Sequence, residues 1–401
     1  MAKTAQGISK VVTYKKEEEF GVVADGATGG DTIRRVTANF NLTKESYQSE
    51  EIREDYQVAD MRHGTRSIEG SISGELSAGS YADFLASAVS RDFTPITVAV
   101  TGDITIAEAT QGYTVTRAEG SYIDDGVAVG TVIRLTGMTT ASNNNKNLLV
   151  VSLTDTVATV FVLNGTVLTA ETASGTIVAT GASTFAPQRG HTNDSYTFEE
   201  WYSDIEESSV TAGNRLNTVG LSLPATGMST IELSFQGQDM PLVGQTKHFV
   251  NPEPQGSTGV FAAVNGALLV KGELVDVVTG LNININRNLT SEAVVGSNVV
   301  PDIYNGRITV DGDFSTLLKN RKFADIFRDE EEISIVVALS ENNSADANVV
   351  TITLPRVKLS SDTQDDGEKG IVAQNSFTAL LGTGKDGLLP TTIMIHDTSI
   401  V

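Results

Sequence analysis

A self-comparison constrains this chain more than any motif in it. Shifted by 242 positions, Val36–Leu85 lies on Val278–Phe327 without a gap. Twelve of those fifty positions are identical, including Val36/Val278, Val58/Val300, Asp60/Asp302, Gly64/Gly306, Gly70/Gly312, Leu76/Leu318 and Asp83/Asp325. A match of that length without gaps reads as a duplication, so the chain is expected to fold as two like units.

Each copy reads in the same order. A strand (Ile33–Thr43; Val277–Arg287) precedes a long polar segment (Lys44–Arg62; Asn288–Tyr304). A second strand (Thr65–Leu76; Arg307–Leu317) follows, then a short helix. The helix shows in apolar residues at i, i+3 and i+4: Tyr81, Phe84 and Leu85 in one copy, Phe323, Ile326 and Phe327 in the other. Two strands joined by so long a polar segment are not a tight hairpin, and such loops are usually functional or projecting. The second copy continues through strand-like Glu332–Leu339, Val349–Leu359 and Gly370–Leu381. The first resumes at Ser195–Trp201, Leu216–Leu223 and Thr230–Gly237, and Gly213–Gly237 is comparable with Asn348–Leu381. β-Branched residues in short runs broken by Gly, Asn and Asp make the fold class mainly β.

Between Ile96 and Gly181 the composition changes to Thr, Val, Ala and Gly with few charges, and strands read at Ile96–Val100, Tyr113–Arg117, Thr131–Thr136, Leu148–Leu153 and Val157–Leu163. This predicts a small all-β domain inserted into a surface loop, outward and dispensable, since exposed tips tolerate insertion. The expected organisation is an arm over 1–35, a first fold over 36–95 and 182–245, the insert over 96–181, a linker and first strand region over 246–277 with its Pro241–Pro254 stretch, and a second fold over 278–401.

Composition removes several function classes. The absence of cysteine excludes a thiol nucleophile and any Cys-ligated metal centre. A net charge of −22 disfavours specific nucleic-acid binding. The first 35 residues are polar and unlike a signal peptide, and no run of 18 apolar residues could span a membrane. Gly382-Thr-Gly384-Lys-Asp-Gly387 spells a dinucleotide fingerprint, but Pro390 follows where a helix is needed, so a flexible turn is expected. Asp311-Gly312-Asp313 starts like a calcium loop, but Thr316 and Lys322 stand where Gly and Glu belong, so a turn or bulge is expected. His63, His191, His248 and His396 are scattered and read as surface polar residues. Glu199/Glu200 and similar pairs are common among 50 acids, and Glu17–Glu19 reads as a solvated run in a disordered arm. No enzyme activity and no cofactor are expected.

The layout resembles a long-tailed (siphovirus-type) bacteriophage tail tube protein, or major tail protein. The stretches that carry the likeness are the polar opening with Ile33–Thr43 and Thr65–Leu76, then Ser195-Tyr-Thr-Phe-Glu-Glu-Trp201, Gly213–Pro224 and Ser234–Met240. Gly120–Gly130 is similar to small β modules inserted in phage tail proteins. The resemblance implies tandem β-sandwich or barrel folds, each beside one short helix. It implies stacked rings closed by a continuous β-barrel, and, because the fold is carried twice, three chains per pseudo-hexameric ring. It also implies a virion protein assembled in the host cytoplasm, with a tape measure protein, tail terminator and distal tail proteins as partners and DNA passing without specific binding. The competing class is a secreted or surface β-rich adhesin or fibre subunit.

The polar loops are the candidate interface. Glu50, Glu51, Arg53, Glu54 and Asp55 crowd charge between Tyr47, Ile52 and Tyr56, as in an interface core with a polar rim. The second loop is nearly uncharged and carries Leu289, Val294, Val295, Val299 and Val300. The first loop is expected to pack Tyr47, Ile52 and Tyr56 on a neighbouring subunit, with Arg53 meeting a carboxylate there.

Overall fold

The computed structural model describes residues 4–400 apart from Thr97, Thr166 and Gly367. Regular structure starts inside the segment expected to be an arm. β1 (Lys10–Lys16) alternates so that Val12 and Tyr14 are buried, and it pairs with a strand nearly 190 residues later. The first half continues with β2 (Thr37–Gln48), β3 (Met61–Glu75) and α1 (Ala82–Val89). The insert holds β4 (Ala99–Glu108), β5 (Tyr113–Arg117), β6 (Val132–Thr136), β7 (Leu148–Leu153), β8 (Val157–Val162) and β9 (Glu171–Ala179). The chain returns through β10 (Ala182–Phe185), β11 (Tyr196–Tyr202), β12 (Glu207–Pro224), β13 (Thr230–Gly237) and β14 (Asp239–Gly244). The second half comprises β15 (Gly266–Val270), β16 (Val278–Asn286), β17 (Thr309–Leu317), α2 (Lys322–Arg328), β18 (Glu332–Ser340), β19 (Val349–Gln364), β20 (Val372–Leu380) and β21 (Met394–Asp397).

Eight strands form one antiparallel inner sheet in the order β2-β3-β13-β12-β16-β17-β20-β19. The long strands β12 and β19 each leave this sheet at their N-terminal ends and join an outer one. β12 does so with β1, β11 and β14, and β19 with β15, β18 and β21. The layers enclose one apolar core running through both halves. In the first half Phe84 of α1 packs on Tyr14, Tyr196, Phe198 and Phe235; in the second Phe323 packs on Phe314.

The two halves share their registers. Ala38 faces Ile72 and Ile72 faces Leu233; Leu281 faces Phe314 and Phe314 faces Asn375. Phe198 faces Thr211 as Ile335 faces Leu354, and Val12 faces Glu200 as Leu268 faces Val337. The bulge at Asn217 in β12 recurs at Ser360 in β19. Both helices end on a left-handed residue, Ser90 (φ 59) and Glu330 (φ 53). The ungapped alignment fails by one position in β16, where a bulge at Thr279 makes Leu281 rather than Gly280 the counterpart of Ala38. The identity Gly70/Gly312 has a steric cause. A Cβ at Gly70 would sit 2.5 Å from Phe40, and one at Gly312 would sit 2.7 Å from Phe377.

The insert closes into a six-stranded barrel, β8-β5-β4-β9-β6-β7, with its own core. The expected strand Ile96–Val100 includes Thr97, outside the described residues. The barrel is not a free appendage. Val129, Val132, Leu149 and Leu163 pack on Leu269, Val336, Ala338 and Val349 of the second half. Asn147 bonds Ala345 and Ala347, and Arg134 reaches the Asp346 carbonyl. Attached by sequence to the first half, the barrel covers the outer sheet of the second, so the expectation of a dispensable decoration is revised.

The crossover between halves is pinned. The buried Glu199 carboxylate accepts from the His248 and Phe249 amides at 2.6 and 2.9 Å, and Phe249 is fully buried. The neighbouring Glu200 pairs with Lys10 at 2.6 Å. This carboxylate pair is therefore structural.

Candidate assembly interface

Alternation along the inner sheet sends one residue in two to the core and the other to an open face. That open face bears Thr37, Asn39, Ser71, Thr218, Ser234, Asn282, Asn284 and Gln374, mostly short polar side chains. Its acids are Glu69, Glu75, Glu232, Asp311 and Asp313, and bases whose register falls on this side, Arg215 opposite Gln236 and Lys358 opposite Thr378, are paired with Asp302 and Glu330. Hydroxyls and amides knit the face together: Thr37–Ser73 at 2.6 Å, Ser222 to Asn282 at 2.8 Å, and Asn282 donating to Asp313 at 3.2 Å. A groove of about 600 Å³ on this face is lined by Ser71, Thr218, Glu232, Asn284 and Asp311. The face is a polar surface on which acids outnumber bases.

The seam between halves is the β12–β16 pairing. Val219 faces Ile285, Leu221 faces Ile283 and Leu223 faces Leu281, all buried. At its end Arg287 is 1% exposed, donates to the Leu216 carbonyl at 3.5 Å and to Ser90 Oγ at 3.1 Å, and its backbone N–H bonds Asn217. Burial, with the nearby Arg215, lowers its pKa to about 10, while Asp194 opposes the shift. The guanidinium stays charged at neutral pH. The remaining two sheet edges, β2 and the segment of β19 after Lys358, pair on one side only.

The two loops behave differently. Residues 49–60 cap a hairpin that runs on past the sheet through the pairs Lys44–Arg66, Tyr47–Arg62 and Gln48–Met61. Glu50, Glu51, Glu54 and Asp55 are exposed, and Ile52 and Tyr56 fully so. Arg53 pairs with Asp55 of its own loop at 2.9 Å, and Tyr47, 57% exposed, lies on Gly64 with its hydroxyl on Glu45. The second loop folds back across the seam onto the first half. Val300 is buried, Gln238 donates to its carbonyl at 2.7 Å, Asp302 pairs with Arg215 at 2.8 Å, and Asn298 accepts from the Arg66 amide at 2.8 Å. Leu289 and Val299 are half-buried there, while Val294 and Val295 stay exposed. Sequence reasoning singled out the apolar tips and passed over Lys44, Val58 and Asp60 at the base, although Val58/Val300 and Asp60/Asp302 were already identities in the repeat.

Other sequence expectations are corrected by packing. Glu17 is buried, accepting from Ser195 Oγ (2.6 Å), Thr197 Oγ1 (3.0 Å) and the amides of Gly213 (2.8 Å) and Gly21 (3.0 Å); only Glu18 and Glu19 are exposed. Asp311-Gly312-Asp313 is neither turn nor bulge but the middle of β17. His396 is no surface residue. It is fully buried between β10, β19 and the insert, with Nδ1 2.8 Å from Ser183 Oγ and Nε2 accepting from the Val132 amide. Burial pushes its pKa down to about 4. Among the described residues no group of three or more His, Asp or Glu is placed to hold a metal ion, and no helix is long and apolar enough to cross a membrane.

Paired β units, a polar sheet face and projecting loops are the features this fold presents for function. The model of the phage tail tube protein family matches residues 7–379, nearly the whole chain, and the chain belongs to that family as a structural component of the phage tail tube. No curated protein compared with it matches.

Proposed function

We propose that three copies of this chain close into a ring and that the rings stack into a hollow tube through which DNA passes. One observation carries the reading. The chain already joins its two like halves through β12 and β16, and it leaves the corresponding edges, β19 and β2, unpaired. A rotation that repeats the internal junction joins chain to chain until the ring closes and no edge remains. Three chains would supply twenty-four inner strands. At a spacing of ~4.8 Å and a tilt of about 40°, such a barrel is roughly 48 Å across between backbones, leaving about 35–40 Å clear. A duplex about 20 Å across, with grooves roughly 8 Å deep, fits with room for water. The face, on which acids outnumber bases, would line that channel and repel phosphate, so DNA slides without sticking. The hairpin tips, with Tyr47, Glu50, Glu51, Ile52, Arg53, Glu54, Asp55 and Tyr56, project beyond the sheet toward the next ring, alongside Leu289, Val294, Val295 and Val299. A tape measure protein inside and terminator and distal tail proteins at the ends complete this reading, with assembly in the host cytoplasm.

Electron microscopy of the purified protein, with mass photometry, tests it. Rings of three chains and hollow tubes are expected. Monomers that persist at high concentration, or thin solid fibres of the adhesin type, would refute it.

A further inference from the structure

We propose that the contact between neighbouring chains in the ring repeats, residue for residue, the seam built into each chain. The inference rests on the ring reading above and adds what that reading lacks: a register and named partners. Replacing β12 by its counterpart β19, and β16 by its counterpart β2, places Ser361 opposite Thr43 of the next chain. Asp362 then faces Leu42, Thr363 faces Asn41 and Gln364 faces Phe40. The bulges at Asn217 and Ser360 anchor the alignment.

Opposite charges meet across this register. Lys44 takes the place of Arg287, and Glu330 that of Ser90, the left-handed residue closing the helix. The internal hydrogen bond of Arg287 to Ser90 thus becomes an ion pair, Lys44 to Glu330. Asp60 takes the place of Asp302, and Lys358 that of Arg215, so the internal pair recurs as Asp60 to Lys358. In the free chain Lys44 is exposed, the Asp60 carboxylate meets only neighbours in sequence, the Met61 amide and Arg62, among the described residues, and Lys358 and Glu330 hold each other at a surface, 2.8 Å apart. Val58, 65% exposed, matches Val300, 5% exposed, and is buried when its loop folds across the seam as the second loop does.

The two kinds of seam differ in chemistry. Inside the chain Val219–Ile285 and Leu221–Ile283 are apolar pairs; between chains the corresponding pairs are Asp362–Leu42 and Gln364–Phe40. Beside Asp362, the fully buried Asn375 has both amide atoms unpartnered in the free chain, where the first half has Leu233. An inward-pointing acid on an edge strand blunts unspecific pairing. The inter-chain seam is therefore selective and carried by ion pairs.

The chain has no cysteine, so introduced cysteines report cleanly. In the double variant Leu42→Cys/Asp362→Cys, oxidised after assembly, covalent species up to a closed ring are expected on a non-reducing gel. The register control Leu42→Cys/Gln364→Cys should stay uncrosslinked. Cross-linking of the control instead, in particles that are still rings, overturns the register and leaves the ring reading standing. Wild-type protein that forms no ring overturns both. Charge exchange decides the matter even should the cysteine variants not assemble: Lys44→Glu should lose ring formation at least tenfold, and Lys44→Glu/Glu330→Lys should regain it. A Lys44→Glu chain that assembles like wild type, or an exchange that rescues nothing, refutes the proposal.

Discussion

Acid should loosen the joint between the inserted barrel and the second half through one side chain, His396. The imidazole is buried on all sides and neutral, its Nε2 accepting a hydrogen bond from the Val132 amide of the insert. Its pKa is about 4 in the fold against 6.5 for the free side chain. Because the folded value lies below the unfolded one, the unfolded chain takes up the proton first. Stability is unaffected above about pH 6.5 and falls as the pH drops from there toward 4. At 1.36 kcal/mol per unit the loss approaches about 3 kcal/mol. Asp397 next in sequence works the other way: burial raises its pKa, so its titration favours the folded chain as the pH falls. Denaturant midpoints of wild type and His396→Asn between pH 7.5 and 4.5 separate the two, since Asp397 is common to both chains. The variant should be less stable at pH 7.5 and lose about 2–3 kcal/mol less than wild type over the range. Parallel pH profiles for both would show that His396 does not set the acid response.

Replacing residues 96–181 by a Gly/Ser linker should expose Leu269, Val336 and Val349 and give insoluble protein; light scattering checks this, and a soluble, monodisperse product would show the docking to be incidental. Glu17→Ala strips four donors of their acceptor and should cost about 3 kcal/mol or more in chemical denaturation, with Glu17→Gln milder. Gly70→Ala should destabilise by about 1–3 kcal/mol through overpacking against Phe40, whereas Gly220→Ala, with no atom nearer than 3.5 Å, should stay within about 0.5–1 kcal/mol of wild type. Ile52→Asp/Tyr56→Ser changes two fully exposed side chains, so melting of the single chain should be unaltered while tube formation in electron micrographs fails; normal tubes would remove the hairpin tip from assembly.

The repeat was legible because its causes are local. Alternation marks Phe40, Ile72, Ile283 and Phe314 as one face whatever lies elsewhere. What escaped the sequence was non-local. Whether Lys10–Lys16 is an arm or a strand depends on Tyr196–Tyr202 offering an edge, far along the chain. Glu17 looks solvated beside Glu18 and Glu19 until Ser195, Thr197 and Gly213 are brought around it. His396 carries no local sign of burial, since its cover comes from β10, β19 and the insert. The candidate loop was legible as exposed and amphipathic, but its base was not, because the partner of Asp302 sits on β12 and no spacing rule connects Asp302 to Arg215.

Glu199's hold on the crossover has a kinetic side. The two halves meet as parts of one molecule, with the connecting chain already ordered by His248 and Phe249, so half of the joints in the proposed ring of three would form during folding. Association of free partners forfeits about 4–15 kcal/mol of translational and rotational freedom per joint. Tethered partners meet at millimolar effective concentration whatever the dilution of the chain. The remaining joints of the proposed ring alone would respond to protein concentration and, being ionic, to salt, which screens exposed charges over about 8 Å at physiological strength. The proposed ring would come apart with salt and dilution at every second joint, releasing whole chains, each with its Arg287 seam intact.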